Sequence, residues 1–203
     1  EQLAQAMLLT IPNLKKVLLE IKKPWAPIGL PLESVSVEIE RGWHEVYLSF
    51  GSNMGDREAY IKIALDALEH IRGCRLRQVS ELLVTKPYGG VEQEDFLNGC
   101  LELETLLTPQ ELLEELHRIE QEAGRERKIH WGPRVIGKAI ADALGLKFYD
   151  KELIETEDLI IPHVDLENRY FVLKPLAEIA PNFRHPILKK TVTQMLEAVK
   201  EEA

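Results

Sequence analysis

This sequence has little cysteine, and it lacks long apolar runs and a leader-like segment. Only two cysteines occur among the 203 residues, Cys74 and Cys100, and they form no CxxC motif. This pattern does not indicate a disulfide framework or a zinc site, so we expect buried thiols in a reducing cytosol. No apolar run approaches the roughly 18 residues of a membrane-spanning helix, and no signal-peptide pattern opens the chain. These absences predict a cytoplasmic protein with no membrane partner.

An excess of positive charge is also missing. Lys and Arg number 25 against 34 Asp and Glu, which gives a net charge of −9 and a pI near 5.3. Such a chain is not expected to bind nucleic acid through bulk electrostatic attraction. Residues 124–134 are an exception, because they include Arg125, Arg127, Arg134 and Trp131. Guanidinium groups bind phosphate oxygens in pairs, so this loop indicates a phosphate-rich ligand.

The first 41 residues predict a helix followed by two strands. Apolar residues from Leu3 to Ile11 recur at helical spacing, and Pro12 ends that pattern. Residues 15–21 alternate loosely as a strand, and residues 34–40 alternate strictly, which is typical of a half-buried antiparallel strand. A helix and two strands are too little for a domain. We therefore interpret residues 1–41 as the tail of a larger domain that ends at Arg41.

Residues 42–203 predict an α+β domain. Strand patterns cover residues 45–50, 76–84 and 96–104. Helix patterns follow Asp56, a candidate N-cap, and the capping box that begins at Thr108 and includes Glu111. This order is βαββα, and a fourth strand would complete a ferredoxin-like split βαβ sheet. Two further helices are expected at residues 171–179 and 191–202.

Five motifs in order carry a resemblance to a known enzyme family. They are Phe50-Gly51-Ser52-Asn53, Phe96-Leu97-Asn98, Gly124-Arg125-x-Arg127, Trp131-Gly132-Pro133-Arg134 and Pro162-His163-x-Asp165-x-x-Asn168-Arg169-x-Phe171. With them, residues 44–186 resemble 6-hydroxymethyl-7,8-dihydropterin pyrophosphokinase (HPPK). The resemblance implies transfer of pyrophosphate from ATP to the hydroxymethyl oxygen of the pterin, in folate biosynthesis. It implies ATP and the pterin as small-molecule substrates and Mg²⁺ as the cofactor.

The resemblance also implies roles for individual residues. Phe96 and Phe171 would stack on the two faces of the pterin, because a flat heterocycle gains from apolar contact on both sides. Arg125 and Arg134 would be catalytic, and Glu120 would anchor the arginine loop. The implied pterin-binding residues are Gly51, Thr85, Tyr88, Phe96, Asn98 and Phe171, and the implied ATP-binding residues are Arg125, Arg127, Trp131, Arg134, His163 and Arg169.

Residues 1–41 resemble the C-terminal part of dihydroneopterin aldolase, which has the T-fold. Glu1-Gln2-Leu3-Ala4 matches the pterin-binding Glu-x-Leu-Ala of that family, and Lys23 matches its catalytic lysine. The family's early glutamate and its tyrosine have no counterpart, so we expect no aldolase activity. The two resemblances together imply a bifunctional folate-synthesis protein. We expect the full-length fusion to be oligomeric and the kinase domain to be monomeric.

Residues 135–150 depart from the pyrophosphokinase pattern. After Trp-Gly-Pro-Arg the family continues Thr-x-Asp-x-Asp, and the two aspartates bind magnesium. Aligned forward from Arg134, the aspartate positions fall on Gly137 and Ala139, and aligned backward from Asp150 they fall on Ala143 and Gly145. Asp142 is the one carboxylate nearby and is our candidate metal ligand. The alanine-rich residues 138–144 favour helix or disorder over a strand, and we expect strand pairing to resume near Phe148.

Two alternatives follow from this departure. The first is a non-catalytic module that binds pterin and nucleotide but lacks the metal ligands. The second is a P-loop nucleotide kinase, because Gly132, Gly137 and Lys138 have most of the P-loop spacing. Ala139 stands where the P-loop needs a magnesium-binding Ser or Thr, and no buried strand pattern precedes the loop. The P-loop interpretation is therefore the weaker of the two.

Overall fold

A computed structural model describes residues 1–24, 34–53, 55–87, 94–122 and 145–199. The chain divides into two compact units, Glu1–His44 and Glu45–Ala203. The sequence places the boundary at residues 41–42, slightly earlier than this division. The difference arises because the second strand of the first unit runs on to Gly42.

The first unit contains helix α1 (Gln2–Thr10) and strands β1 (Lys16–Lys23) and β2 (Val35–Gly42). The two strands pair antiparallel, with Lys16 opposite Gly42 and Lys23 opposite Val35. This is the predicted helix-strand-strand order. The expectation that β2 is half-buried is wrong, because Val37 is 66% exposed and Val35 38% exposed. Alternation predicts that a strand has an apolar face, but a second layer of structure is needed to cover that face.

The second unit is an α+β domain, as predicted. Its elements are β3 (His44–Ser52), α2 (Arg57–Glu69), β4 (Cys74–Val79), β5 (Leu83–Thr85), β6 (Phe96–Thr105), α3 (Pro109–Glu122), β7 (Gly145–Tyr149), β8 (Ile154–Glu155), β9 (Ile160–Ile161), a short 3-10 helix (Leu166–Asn168), α4 (Tyr170–Ile179) and α5 (Val192–Ala198). The main sheet has the strand order β4-β6-β3-β7, with β5 paired to β6. With β5 counted as an addition, the described elements from β3 to β7 follow the order βαββαβ, so the sheet has the split βαβ arrangement.

The strand predicted at residues 76–84 is two strands in the structure. Strands β4 and β5 both pair with β6, and Ser80 lies between them. Ser80 N donates to Cys100 O at 2.9 Å, and Ser80 Oγ accepts from Cys100 N at 2.9 Å. A side-chain acceptor therefore replaces a backbone carbonyl at this point, which interrupts the ladder. The interruption separates β5, which carries Thr85, from β4.

The predicted helix caps are confirmed. Asp56 Oδ1 accepts from Ala59 N at 3.0 Å at the start of α2. At the start of α3, Thr108 N donates to Glu111 Oε2 at 2.8 Å and Glu111 N donates to Thr108 Oγ1 at 3.3 Å. Each cap satisfies amide donors that the first helical turn leaves unpaired. Helix α5 ends at Ala198, earlier than predicted, and residues 200–203 lie outside the described part of the chain.

Hydrophobic residues form one cluster on each face of the sheet. The first cluster joins β3 and β6 to α2 and α3, and its members include Val46, Leu48, Phe50, Ile61, Leu68, Leu101, Leu103, Leu112 and Leu116. The second cluster joins the opposite face to α4 and α5, and its members include Tyr47, Cys100, Phe148, Val172, Leu173, Leu176, Val192 and Met195. Each fully buried aliphatic side chain contributes about 1.5–3 kcal/mol. The sheet thus packs between two helical layers.

Both cysteines are free and buried, as the sequence predicts. Burial raises the pKa of the Cys100 thiol to about 12, and burial also raises the pKa of Cys74. Thiols of this kind are poor nucleophiles at neutral pH. Among the described residues, no helix has the length and apolar character that crossing a bilayer requires.

Candidate functional site

Gly51, Thr85 and Asn98 meet on three adjacent strands. Asn98 lies opposite Leu83 in the β5–β6 pair, and Thr85 lies opposite Phe96. The buried Asn98 amide donates from Nδ2 to Thr85 Oγ1 at 2.7 Å. A Cβ added to Gly51 would clash with Asn98 Oδ1, so the glycine leaves the space that this amide needs. These three predicted pterin-binding residues are therefore brought together.

The two predicted stacking residues are both half-buried. Phe96 begins β6, and Phe171 lies in the first turn of α4 and packs against the second hydrophobic cluster. A ring that is only partly covered by its own core retains surface for a flat ligand. Tyr88, the remaining predicted pterin contact, lies outside the described residues.

His163 follows strand β9 and lies beside β7. Its backbone N donates to Lys147 O at 3.3 Å, and its Nδ1 is 2.6 Å from Val164 O. Since a carbonyl oxygen only accepts, Nδ1 carries the proton of the neutral imidazole. The pKa of His163 is lowered to about 4 by burial first, and then by the charges of Lys147 and Arg169. The side chain is therefore neutral at pH 7, with Nε2 as its acceptor.

Arg169 forms an ion pair with Asp165. Asp165 has φ 64°, in the left-handed region that Asp tolerates better than most residues. Its Oδ1 accepts from Asn168 Nδ2 at 2.7 Å, and its Oδ2 is 3.5 Å from Arg169 Nε. The hydrogen bond from Asn168 holds the pKa of Asp165 below its usual range, with a further contribution from Arg169. Two predicted ATP-binding residues, His163 and Arg169, thus lie in one electrostatically linked loop.

Lys147 is a residue of this site that sequence reasoning missed. It lies in β7, near His163, and is 4% exposed. In the sequence, the charged Lys147 stands between the apolar Leu146 and the aromatic residues Phe148 and Tyr149. That interruption of an apolar run was the available signal. The strand itself confirms that pairing resumes near Phe148, which lies opposite Tyr47.

The described residues do not fit a magnesium ion. Gly145, one of the aligned aspartate positions, offers no carboxylate, and a Cβ added there would lie 2.9 Å from Lys147 Nζ. A divalent cation held by a side chain at residue 145 would lie near this ammonium, which would repel it. No group of three or more His, Cys, Asp or Glu side chains suited to a metal occurs in the described part of the chain. The candidate ligand Asp142 lies outside the described residues, as do Arg125, Arg127, Trp131 and Arg134.

The two aldolase-like residues lie in the first unit. Glu1 Oε1 is 2.7 Å from Arg41 Nη2, and the hydrogen bond from Arg41 lowers the pKa of Glu1. The carboxylate is thus engaged within its own unit and does not cap α1. Lys23 is the last residue of β1 and is exposed.

Comparison with known proteins decides the family. Residues 47–181 match the family model of 7,8-dihydro-6-hydroxymethylpterin-pyrophosphokinase (HPPK). The chain belongs to the HPPK family. A Bacillus subtilis 2-amino-4-hydroxy-6-hydroxymethyldihydropteridine pyrophosphokinase is 44% identical to this HPPK chain over 133 residues, which are 66% of the chain and 76% of the relative.

Other relatives of this HPPK chain are longer proteins. The Bifunctional protein FolKE of Lactococcus lactis subsp. cremoris is 40% identical over 158 residues, which are 76% of the chain and 43% of that protein. The chain thus spans less than half the length of this relative. A crystal structure of Plasmodium falciparum HPPK-DHPS superposes with a TM-score of 0.61 at 14% identity, covering 78% of the chain and 43% of that structure. At this identity the superposition supports the fold of the HPPK domain.

Proposed function

We propose that the second unit transfers pyrophosphate from ATP to 6-hydroxymethyl-7,8-dihydropterin, a step of folate biosynthesis, at a reduced rate. The hydroxymethyl oxygen attacks the β-phosphorus of ATP, and the bond from that phosphorus to the α,β-bridging oxygen breaks. AMP leaves with the bond's electron pair, and the hydroxyl loses its proton. The arrangement that carries this proposal is the buried Asn98 amide, bonded at 2.7 Å to Thr85 beside Gly51, in a chain of the HPPK family.

The pterin would bind at the edge of β5 and β6. Asn98 and Thr85 supply polar atoms in a fixed geometry, because the amide bonds to the hydroxyl and is itself buried. Fixed polar groups recognise a heterocycle edge without a further loss of side-chain entropy. Phe96 and Phe171, each half-buried, would cover the two faces of the ring. The resemblance adds Tyr88 to this set.

The triphosphate would bind at the His163–Arg169 loop. Arg169 lies 3.5 Å from Asp165 in an ion pair, and its planar guanidinium matches the geometry of phosphate oxygens. An approaching phosphate would raise the pKa of His163, because an anion favours the imidazolium form. Arg125, Arg127, Trp131 and Arg134 would complete the phosphate site, with Arg125 and Arg134 acting on the transferred group. Positioning and charge stabilisation supply most of the catalysis in such transfers.

We expect pterin binding to be nearly normal and turnover to be low. The described pterin residues lie on β3, β5, β6 and α4, and none of them belongs to the altered segment at residues 135–150. Removal of one well-placed transition-state contact costs about a hundred- to thousandfold in rate. A chain without the aspartate pair should therefore bind pterin within about tenfold of an intact relative, or roughly 1.4 kcal/mol. Its production of AMP should be at least about a hundredfold slower.

The test replaces residues 135–149 with a strand of the Thr-Ile-Asp-Leu-Asp type. Pterin binding is followed by fluorescence, and AMP formation is followed by chromatography at saturating magnesium. The replaced chain should gain rate with little change in pterin affinity. If the parent already turns over as fast as the replaced chain, the aspartate pair is dispensable here and the expected loss of rate is wrong.

The arrangement of Gly145 and Lys147 favours a second candidate function. In it, the chain is a non-catalytic module that binds pterin and nucleotide. The two residues leave a cation rather than a carboxylate at one of the aligned metal positions. In that case the chain would bind both ligands and form no AMP. The same chromatography separates the two candidates.

We also propose that residues 1–41 are the C-terminal part of a dihydroneopterin aldolase domain. The proposal is supported by the Glu-x-Leu-Ala and Lys23 matches and by a helix-strand-strand unit that exposes apolar residues of β1 and β2. Fusion of this segment to an aldolase sequence that lacks its own C-terminal part should yield an oligomer with aldolase activity. An inactive, monomeric fusion would contradict the assignment.

A further inference from the structure

Arg57 joins the start of α2 to the residue before β6. Its Nη1 donates to Asp95 O at 2.7 Å, and the two residues are 38 positions apart in the chain. Arg57 is half-buried, whereas Asp95 is exposed and belongs to no strand. The side chain thus reaches from a helix of the core to the segment that leads into the candidate pterin site.

Helix stability does not account for an arginine at this position. Arg57 is the first residue of α2, directly after the N-cap Asp56. The N-terminal end of a helix carries a partial positive charge, so a cation in the first turn is slightly unfavourable for the helix. The hydrogen bond to Asp95 is a contact that the helix itself does not need. We therefore expect the contribution of Arg57 to lie outside α2.

The carbonyl that Arg57 contacts belongs to the peptide group between Asp95 and Phe96. Because a peptide group is planar, a hydrogen bond to this oxygen also restrains the backbone N of Phe96. Phe96 itself lies opposite Thr85, at the end of the β5–β6 pair. The backbone of Phe96 is therefore restrained both by the arginine and by the pairing with β5.

The helix that carries Arg57 is fixed in the core. Asp56 Oδ1 accepts from Ala59 N at 3.0 Å, which caps the first turn of α2. Further along the helix, Ile61 and Leu68 are buried in the first hydrophobic cluster. A group on a packed helix is positioned more precisely than a group on a loop. Arg57 can therefore transmit the order of the core to the peptide before Phe96.

We propose that Arg57 is a positioning residue for the pterin, because it holds the backbone from which the Phe96 ring projects. A ring whose backbone is already fixed loses less conformational entropy when a flat ligand stacks on it. The proposal rests on the proposed function for the identity of the ligand, but not for the effect of Arg57 on Phe96. Arg57 acts through the neighbouring peptide and not by contact with the reacting atoms.

The experiment compares Arg57→Met, which removes the donor, with Lys62→Met, which removes a positive charge from an exposed position of the same helix. A fluorescence titration measures pterin affinity, and calorimetry measures the affinity for inorganic triphosphate. Arg57→Met should weaken pterin binding by about fivefold, because the Phe96 ring is no longer pre-organised. Triphosphate affinity should change by less than about twofold in either variant, and so should the pterin affinity of Lys62→Met.

A double-mutant cycle separates the positioning of Phe96 from a general effect on the fold. In a Phe96→Leu background the ring is absent, so Arg57→Met should weaken pterin binding further by less than about twofold. The same loss with and without the ring would show that Arg57 acts independently of Phe96 and would overturn the proposal. The proposal is also wrong if Arg57→Met weakens pterin and triphosphate binding equally, or leaves pterin affinity unchanged.

A measurement without ligand distinguishes failure of this proposal from failure of the proposed function. The five phenylalanines are replaced by 4-fluorophenylalanine, and the fluorine NMR signal of Phe96 is the one that disappears in Phe96→Leu. Arg57→Met should shift or broaden this signal and leave unchanged that of Phe148 in the second hydrophobic cluster, which is assigned in the same way. An unchanged Phe96 signal overturns the role of Arg57. A changed signal in a chain that binds no pterin supports the effect of Arg57 on Phe96 and counts against the proposed function alone.

Discussion

At the scale of single residues, Gly51 matters for the side chain that it does not have. Its neighbour across the sheet, Asn98, is buried and uses its amide to reach Thr85. The amide occupies the space where a Cβ on Gly51 would be. A buried amide that loses its partner costs about 1–3 kcal/mol. Gly51 and Asn98 should therefore behave as one unit in both stability and pterin binding.

We predict that Gly51→Ala lowers the free energy of unfolding by about 1–3 kcal/mol, because Asn98 must leave Thr85. Pterin affinity should fall by about tenfold or more, since the polar edge of the site loses its geometry. Urea unfolding and a fluorescence titration measure the two effects. In an Asn98→Ala background the loss of stability from Gly51→Ala should be much smaller. An equal loss in both backgrounds would mean that the clash with Asn98 is not the cause.

At the scale of elements, α5 shows how a short helix is stabilised beside the site. It has only 7 residues, too few for a helix that is stable by itself. Its support comes from Val192 and Met195, which pack in the second cluster with Phe148, and from a capping box. Thr191 Oγ1 accepts from Gln194 N at 3.2 Å, and Gln194 Oε1 accepts from Thr191 N at 2.9 Å.

We predict that Thr191→Ala lowers the free energy of unfolding by about 1 kcal/mol, because the first turn of α5 loses an acceptor for its amide. Thr191→Ser is the matched control, since it keeps the hydroxyl, and it should lie within about 0.5 kcal/mol of the parent. Urea unfolding of the three chains gives the comparison. If the alanine and serine variants are equally stable, the capping box contributes nothing and packing alone holds α5.

At the scale of the whole molecule, the two units differ greatly in how much they bury. The second unit contains every member of both hydrophobic clusters and every described residue of the pterin and phosphate sites. Among the residues of the first unit that the structure describes, the buried apolar ones are Ala4, Leu8 and Val17, whereas Leu18, Ile21 and Val37 are each more than 60% exposed. A segment of this size buries too little apolar surface to fold alone.

We predict that a chain of residues 43–203 folds and binds pterin and triphosphate within about threefold of the full chain. A peptide of residues 1–42 should be largely unfolded, because its few buried residues cannot offset the entropy of ordering the chain. Far-UV circular dichroism and the binding assays above test both statements. A loss of ligand binding in the shorter chain would show that the first unit supports the site.

The sequence by itself determined the features that depend on neighbours along the chain. The Asp56 cap, the Thr108–Glu111 capping box, the helix-strand-strand order of the first unit and the α+β class all follow from local patterns. These patterns were readable because caps and periodicity involve residues a few positions apart. The five motifs likewise indicated the family, since each is a short stretch of adjacent residues.

Only the tertiary structure decided the features that depend on how distant strands align. In the sequence, Lys147 is a single charged residue between apolar neighbours, and the bulge opposite Tyr47 and Leu48 is what places it beside Gly145. Asn98 reaches Thr85 only because the ladder breaks at Ser80 and β5 returns to β6. Strand register is set by pairing between segments far apart in the chain, and a shift of one residue changes which face a side chain occupies. Local sequence patterns do not contain that information, so the cation next to Gly145 became visible only in the folded sheet.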